Sequence, residues 1–138
     1  MPLDYRKLAV YHLAHKFVLE IYKLTKNFPD DESKNLTSQL RRAVISIPLN
    51  IAEGSSRRSK KEFLQFLNYG FGSGKEIEVI LALCRDLEYL TNEEYSGISK
   101  QLDTVMSKLY LFIRSVEERI PGTKINYVSR LKRDSGDL

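Results

Sequence analysis

Residues 36–54 read LTSQLRRAVISIPLNIAEG. Their apolar side chains recur at steps of three and four residues, which is one face of an α-helix. Pro29 and the acidic residues after it mark the approach to this helix. Gly54 is a natural residue just beyond its end, since glycine enters the left-handed conformation without a Cβ penalty. The stretch therefore predicts a central helix with one apolar face, formed by Leu36, Leu40, Ala43, Val44, Ile47 and Ile51.

Pro48 lies well inside this predicted helix and indicates a kink. Proline has no N–H to donate to the carbonyl of Val44, and its ring pushes that carbonyl away. Ser46 and Asn50 are close enough along the helix to supply hydrogen bonds, and Glu53 is placed to pair with a nearby arginine. Two interpretations stay open: these side chains repair a bent helix and its end, or they form a binding site beside the bend.

Helical patterns also occupy the rest of residues 1–120. The first helix is expected over about Tyr5–Asn27, and it carries two apolar faces, which is more than one bundle core requires. Either this helix is deeply buried or one face meets a neighbouring subunit, and the second interpretation is favoured. Residues 121–138 are predicted to form a basic tail that is loosely ordered or docks on a neighbour.

Capping residues set the predicted starts of helices three and four. Ser59 with Glu62, and Thr91 with Glu94, have the spacing of capping boxes, and they predict helices from Lys60 to about Leu90 and from Thr91 to a Pro-Gly stop at 121–122. Glycines 70, 72 and 74 resemble a phosphate loop only superficially, because they sit inside the helical pattern. They are expected to let another helix approach closely.

Size and composition indicate one domain of 138 residues in a reducing, cytoplasmic setting, because the single cysteine, Cys84, cannot form an internal disulfide. No apolar run approaches the length of a membrane span, and the start of the chain lacks the features of a secretory signal. Cys84 is expected to be a small buried hydrophobe. His12 and His15 have no acidic or cysteine partner spaced to complete a metal site. No cofactor, metal or catalytic activity is expected.

Positive charge is concentrated around the second helix and the turn after it. Residues 34–61 carry seven basic side chains and one acidic side chain, whereas residues 62–120 carry six basic and ten acidic ones. Basic clusters neutralise phosphates and release counterions, but the same charges are also typical of an ordinary solvated surface. The candidate nucleic-acid-binding residues are Arg41, Arg42, Arg57, Arg58, Lys60 and Lys61.

The two arginines within the second helix stand apart from the other four candidates. Arg41 and Arg42 lie roughly 20 Å from Gly54 along a straight helix. They belong to a separate patch or to ion pairs at a subunit interface.

The run SQLRRAVISIPLNIAEG at 38–54, followed by SRRSKKEFLQFLNYGFGSGKEIE at 56–78, resembles the S23 ribosomal protein family, also called 23S rRNA intervening-sequence proteins. The likeness extends to AVYHLAHKF and LEIYKLTKNFP in the first helix and to RDLEYL at 85–90, and it covers about residues 5–118. Tyr11, Gly70 and Gly72 depart from the usual family pattern, at positions that concern packing.

The resemblance implies an antiparallel up-down four-helix bundle that assembles as a homopentamer. Family members are encoded within intervening sequences of some bacterial 23S rRNA genes, and a related fold assists a reverse transcriptase and contacts nucleic acid. The resemblance implies no catalytic residues for this chain. The resulting hypothesis is a non-enzymatic oligomer that binds nucleic acid, chiefly structured RNA, through its basic surface. The alternative is a protein-interaction scaffold, such as an accessory protein to a reverse transcriptase.

Overall fold

The computed structural model describes residues 3–120 and contains four α-helices, with no strand in that range. They are α1 (Ala9–Thr25), α2 (Leu36–Ser55), α3 (Lys60–Asp86) and α4 (Asn92–Glu118). Short 3-10 turns at Tyr5–Lys7 and Asp30–Glu32 precede α1 and α2. The predicted tail at 121–138 lies outside the described residues. In the part that is described, no helix is long and apolar enough to cross a membrane.

Helix α1 is shorter than predicted, and its buried side chains form a single face, where the sequence indicated two apolar faces. Leu8 is extended, so the helix begins at Ala9, and the residues before it form a separate turn in which Asp4 accepts a hydrogen bond from the backbone N of Arg6. The residues of this face are separated by steps of four, three, four and four residues, which follow the helical repeat. Its members are Val10, Ala14, Phe17, Ile21 and Thr25.

Helix α2 contains Pro48, and the hydrogen bonds predicted beside it are present. The side-chain nitrogen of Asn50 donates to the carbonyl oxygen of Ser46 at 2.7 Å and to its hydroxyl at 2.9 Å. The Ser46 hydroxyl also lies 2.7 Å from the hydroxyl of Ser73 in α3. These bonds favour the interpretation that Ser46 and Asn50 satisfy polar groups near the proline, and they join α2 to α3.

The predicted end of α2 at Gly54 is wrong. Gly54 lies inside the helix, which continues to Ser55, and it is buried. A Cβ at this position would lie 2.8 Å from Cδ1 of Phe63 and 2.8 Å from Cβ of Phe66. Glycine is therefore required here by the close approach of α3, and no left-handed turn is involved.

Helix α3 runs unbroken through the three glycines, which excludes a phosphate loop there. Gly70 faces Asn50 and the backbone of Ile47 in α2, and a Cβ on Gly74 would collide with the side chain of Met106 in α4. The predicted close approach is confirmed at these two positions. A Cβ on Gly72 would meet nothing within 4 Å, so packing within the described chain gives that glycine no role.

The predicted end of α3 at Leu90 is also wrong, because the helix stops at Asp86. Glu88 adopts a left-handed φ of 63°, which breaks the helical repeat. The N–H of Tyr89 then bonds back to the carbonyl of Cys84 at 2.8 Å. Thr91 and Glu94 form the predicted reciprocal capping box at the start of α4.

The core draws on all four helices. Burial of each large aliphatic side chain contributes about 1.5–3 kcal/mol relative to exposure. Cys84 is fully buried, as predicted, and burial raises the pKa of its thiol to about 11, with the charge of Glu32 as a smaller cause. The side chains with no exposed surface are those of Ile21, Leu40, Val44, Ile47, Ile51, Leu67, Ile77, Cys84, Leu109 and Ile113.

Candidate nucleic-acid interface

The connection between α2 and α3 is short and polar, and it holds most of the candidate basic residues. Only residues 56–59 separate Ser55, the last residue of α2, from Lys60, the first residue of α3. The Ser59 hydroxyl accepts a hydrogen bond from the backbone N of Glu62 at 3.1 Å, which confirms this half of the predicted capping box. The cap fixes where α3 begins, and the neighbouring basic side chains are exposed at this end of the molecule. These are Arg57, Arg58, Lys60 and Lys61.

Arg57 is held in place by two contacts. One guanidinium nitrogen lies 3.8 Å from a carboxylate oxygen of Glu53, one helical turn earlier, so the predicted pairing of Glu53 with an arginine is confirmed. The guanidinium carbon lies 4.7 Å from the centre of the Phe66 ring. An arginine restrained by a ring and an ion pair loses less conformational entropy when it binds a phosphate than a freely rotating side chain does.

A half-open cleft of about 170 Å³ lies beside this connection. Its cationic lining consists of Arg57, Arg58, Lys60 and Arg119. None of the described residues that line it is acidic. The first turn of α3 adds partial positive charge from its free N–H groups. The cleft is therefore an electropositive concavity suited to a phosphate group.

Arg119 was not among the residues predicted from the sequence. It lies just after α4, about sixty positions from Arg58, and only the folded chain brings the two together. The lengths of the helices could have predicted that Arg119 lies near Arg58. Since α3 and α4 are each 27 residues long, a chain that turned back at residues 87–91 would return the end of α4 to the start of α3.

Lys61 faces a different surface from the other three basic residues of the connection. It lies in a shallow groove along the outer side of α3, together with Leu64, Gln65, Asn68, Tyr69 and Gly72. The predicted group of four thus divides into three residues at the cleft and one on an adjoining surface.

Arg41 and Arg42 are not brought to the cleft. The Nε of Arg41 donates to the hydroxyl of Thr25 at 3.0 Å, and its guanidinium carbon lies 4.5 Å from the centre of the Tyr22 ring. Arg41 therefore ties α2 to α1. Arg42 is exposed. As expected from the sequence, the two arginines lie apart from residues 57–61.

The two histidines are exposed on α1. His12 Nε2 lies 2.5 Å from the carbonyl oxygen of Arg6, so that nitrogen is engaged with the backbone before the helix. Within residues 3–120, no three histidine, cysteine, aspartate or glutamate side chains are grouped in a way that would hold a metal ion.

Comparison with known proteins identifies the family. The model of the 23S rRNA-intervening sequence protein family matches residues 6–111. The fold is similar to the crystal structure of a protein of unknown function from the S23 ribosomal protein family of Bacteroides thetaiotaomicron, with a TM-score of 0.72 and 25% identity over 81% of this chain and 99% of that chain. A search of curated proteins found no match. Because the family model covers well over half of the sequence, the chain belongs to the 23S rRNA-intervening sequence protein family.

Proposed function

We propose that this chain is a non-enzymatic, oligomeric RNA-binding protein that contacts phosphates through its basic connection between α2 and α3. The observation that carries the proposal is the convergence of Arg57, Arg58 and Lys60 with Arg119 on one cleft that has no acidic lining among the described residues. Membership of the 23S rRNA-intervening sequence protein family adds the context of ribosomal RNA. Structured RNA is therefore the first ligand to test.

We further infer an antiparallel up-down bundle from the order of contacts between helices. The Gln39 side chain lies 3.3 Å from Glu76, near the start of α2 and late in α3, whereas Gly54 at the end of α2 meets Phe63 at the start of α3. In the same way, Arg85 stacks over Tyr95, and Phe63 meets Phe112. Neighbouring helices with this order of contacts run in opposite directions.

We propose that the chain self-associates through an uncovered face of α3, and the family resemblance implies that the assembly is a homopentamer. Gly72, Val79 and Leu83 share this face through steps of seven and four residues. Val79 is 62% exposed and Leu83 is 46% exposed, and nothing in the described chain lies over Gly72. A ring of subunits would cover this apolar surface and would repeat the basic cleft around its axis. Several clefts in one assembly could bind the same RNA molecule together, and its affinity for the assembly would exceed its affinity for a single cleft.

The test is binding to a structured RNA across a salt series, measured by fluorescence anisotropy. One variant replaces the four cations of the cleft, Arg57, Arg58, Lys60 and Arg119, with glutamine. If all four contact phosphates, the plot of log affinity against log salt concentration should become less steep by about 3 units. The affinity at physiological salt should drop about tenfold or more. Circular dichroism should be unchanged, because all four side chains are exposed.

A matched control removes the same charge elsewhere. Lys26, Lys34, Lys100 and Lys108 are exposed, and none of them lines the cleft. Their replacement with glutamine should leave the salt slope within about one unit of the parent. Equal losses in the two variants would mean that only net charge matters, and no loss in either would exclude the basic connection as the binding surface.

A protein-interaction scaffold is the second candidate, with a reverse transcriptase as one possible class of partner. The observation that favours it is exposed apolar surface away from α3: Leu49 is 59% exposed on α2 and Leu111 is 60% exposed on α4. A partner held by such residues would remain bound at about 0.5 M salt, where exposed charge pairs are screened. Absence of RNA binding at physiological salt, together with salt-resistant retention of the reverse transcriptase, would favour this function.

A further inference from the structure

The cleft that carries the proposed function has an apolar side as well as a cationic one. Leu3, Phe63 and Val116 contribute this apolar lining. A site for phosphate alone needs no such surface, whereas a nucleotide offers a planar ring beside its phosphate. We propose that the cleft seats one unpaired nucleotide of a nucleic-acid strand, with its base against the apolar side and its phosphate among the cations. This inference rests on the proposed function and specifies its ligand.

The dimensions of the cleft fit one ring. A cavity of about 150 Å³ is enough for a molecule of the size of benzene. The cleft measures about 170 Å³ and is open to solvent on one side, so a single pyrimidine ring can enter while its sugar stays outside. A base inside a continuous duplex is stacked on both faces, and it would have to be extruded at an energetic cost before it reached such a site.

The apolar side is fixed in position by the fold. Phe63 is 7% exposed and Val116 is 5% exposed, so both are anchored in the core and present only an edge to the cleft. Leu3 is 44% exposed, and its backbone N donates to the carbonyl oxygen of Ser55 at 3.1 Å. That bond holds the backbone of Leu3 beside the cleft, which the residue helps to line. A partly exposed leucine held in this way gives a base an apolar surface to cover.

The cations reach the cleft from two parts of the chain. Arg57, Arg58 and Lys60 come from the connection before α3, and Arg119 comes from the residue after α4. The backbone N of Arg119 bonds to the carbonyl of Val116 at 3.1 Å, which sets the apolar edge and this cation side by side. The phosphate of a nucleotide whose base lies against Val116 would therefore be within reach of Arg119.

The deciding experiment compares two single strands that carry the same phosphates. One is a twelve-residue thymidine strand, and the other has the same backbone with abasic sites throughout. Affinities for the full-length protein are measured by fluorescence anisotropy across a salt series. The thymidine strand is expected to bind about tenfold more tightly, since stacking of a base on a protein surface has effects of this order. Affinity for both strands should depend on salt concentration with the same slope, because the slope is set by the number of phosphates that the protein contacts.

Two variants assign the effect to the cleft. Leu3→Ala should weaken binding of the thymidine strand about threefold and leave the abasic strand unchanged, whereas Leu19→Ala should affect neither, since Leu19 is exposed on α1 away from the cleft. Arg119→Gln should weaken both strands and reduce the salt slope by less than about one unit. The opposite signatures separate the apolar side from the cationic side.

The possible failures are distinguishable. Equal affinity for the thymidine and abasic strands, with a steep salt dependence, would overturn the nucleotide site and leave the phosphate-binding function standing. Absence of binding to either strand and to structured RNA would overturn both. Displacement of the strand by thymidine monophosphate at similar concentration would identify a free nucleotide as the occupant and overturn the assignment to a strand.

Discussion

At the scale of single residues, Gly54 and Gly97 are helical glycines in opposite surroundings. A side chain on Gly54 would press against two phenylalanines of α3, whereas one on Gly97 would meet nothing within 4 Å. Gly54→Ala should therefore lower the free energy of unfolding by about 1–2 kcal/mol, since overpacking outweighs the gain in helix propensity. Gly97→Ala should raise it by about 0.5–1 kcal/mol. Urea denaturation of both variants checks the pair, and stabilisation by both would contradict the packing described at Gly54.

Cys84 supplies a prediction about pH. Burial raises the pKa of its thiol to about 11 from an ordinary value of 9.0, so at pH 8 only about one thiol in a thousand is ionised in the folded protein. Alkylation by iodoacetamide should be very slow in the native state and fast in urea. A raised pKa also means that the folded form retains the proton longer, so this thiol's contribution to stability is complete below pH 9 and is lost as the pH rises towards 11.

The control for this pH effect is Cys84→Ala. It should be less stable below pH 9 because it leaves a small cavity. Its stability should decline less steeply than that of the parent between pH 9 and 11. Identical slopes, or rapid alkylation at pH 8 without denaturant, would contradict a buried protonated thiol.

At the scale of the helices, α4 depends on its capping box. The Thr91 hydroxyl accepts from the backbone N of Glu94, and the Glu94 carboxylate accepts from the backbone N of Thr91, each at 3.0 Å. Thr91→Ala should cost about 1 kcal/mol of stability. Thr104→Ala is the matched control, because Thr104 is exposed within the same helix and bonds only to the carbonyl of Lys100. Thermal or urea unfolding measures both, and equal effects would show that the box adds nothing.

The elements differ in how well the sequence predicts them. The number of helices and the starts of α3 and α4 were predictable, because apolar periodicity and capping residues are local signals. The end of α2 was not, since it depends on how Phe63 and Phe66 pack against Gly54. The end of α3 was not either, because a left-handed glutamate at position 88 has little sequence signature.

The candidate site follows the same division between local and long-range information. Arg57, Arg58 and Lys60 are neighbours in sequence, and their charge was apparent there. Arg119, Leu3 and Val116 join them only through the tertiary fold, so the cleft and its apolar side were missed. The grouping of Lys61 with the others failed for the reverse reason: adjacent residues on a helix point about 100° apart.

At the scale of the whole molecule, Gly72 offers a direct test of the proposed assembly. Because a Cβ on Gly72 would meet nothing within 4 Å, Gly72→Arg should leave the folded subunit intact. If the face that contains Val79 and Leu83 meets another subunit, the arginine should dissociate the oligomer. Light scattering coupled to size-exclusion chromatography measures the mass, and the parent should run as a pentamer of 16.0 kDa subunits.

Gly97→Arg serves as the control for this prediction, because it places the same side chain at another open helical position. It should leave the oligomer mass unchanged. A parent protein that runs as a monomer, or a Gly72→Arg variant that keeps the parent mass, would contradict assembly through this face of α3.

The bond between the N–H of Leu3 and the carbonyl of Ser55 has a practical consequence for anyone who handles this protein. Any affinity tag or fusion partner joined upstream of Leu3 is tethered beside the cleft, and the described chain also ends next to it, at residues 119–120. A tag or fusion partner at the end of the molecule that holds the cleft would obstruct ligand binding there. A fluorophore or immobilisation point is better placed in the connection between α3 and α4, where a cysteine introduced at the exposed Glu88 would leave the opposite end of the bundle unobstructed.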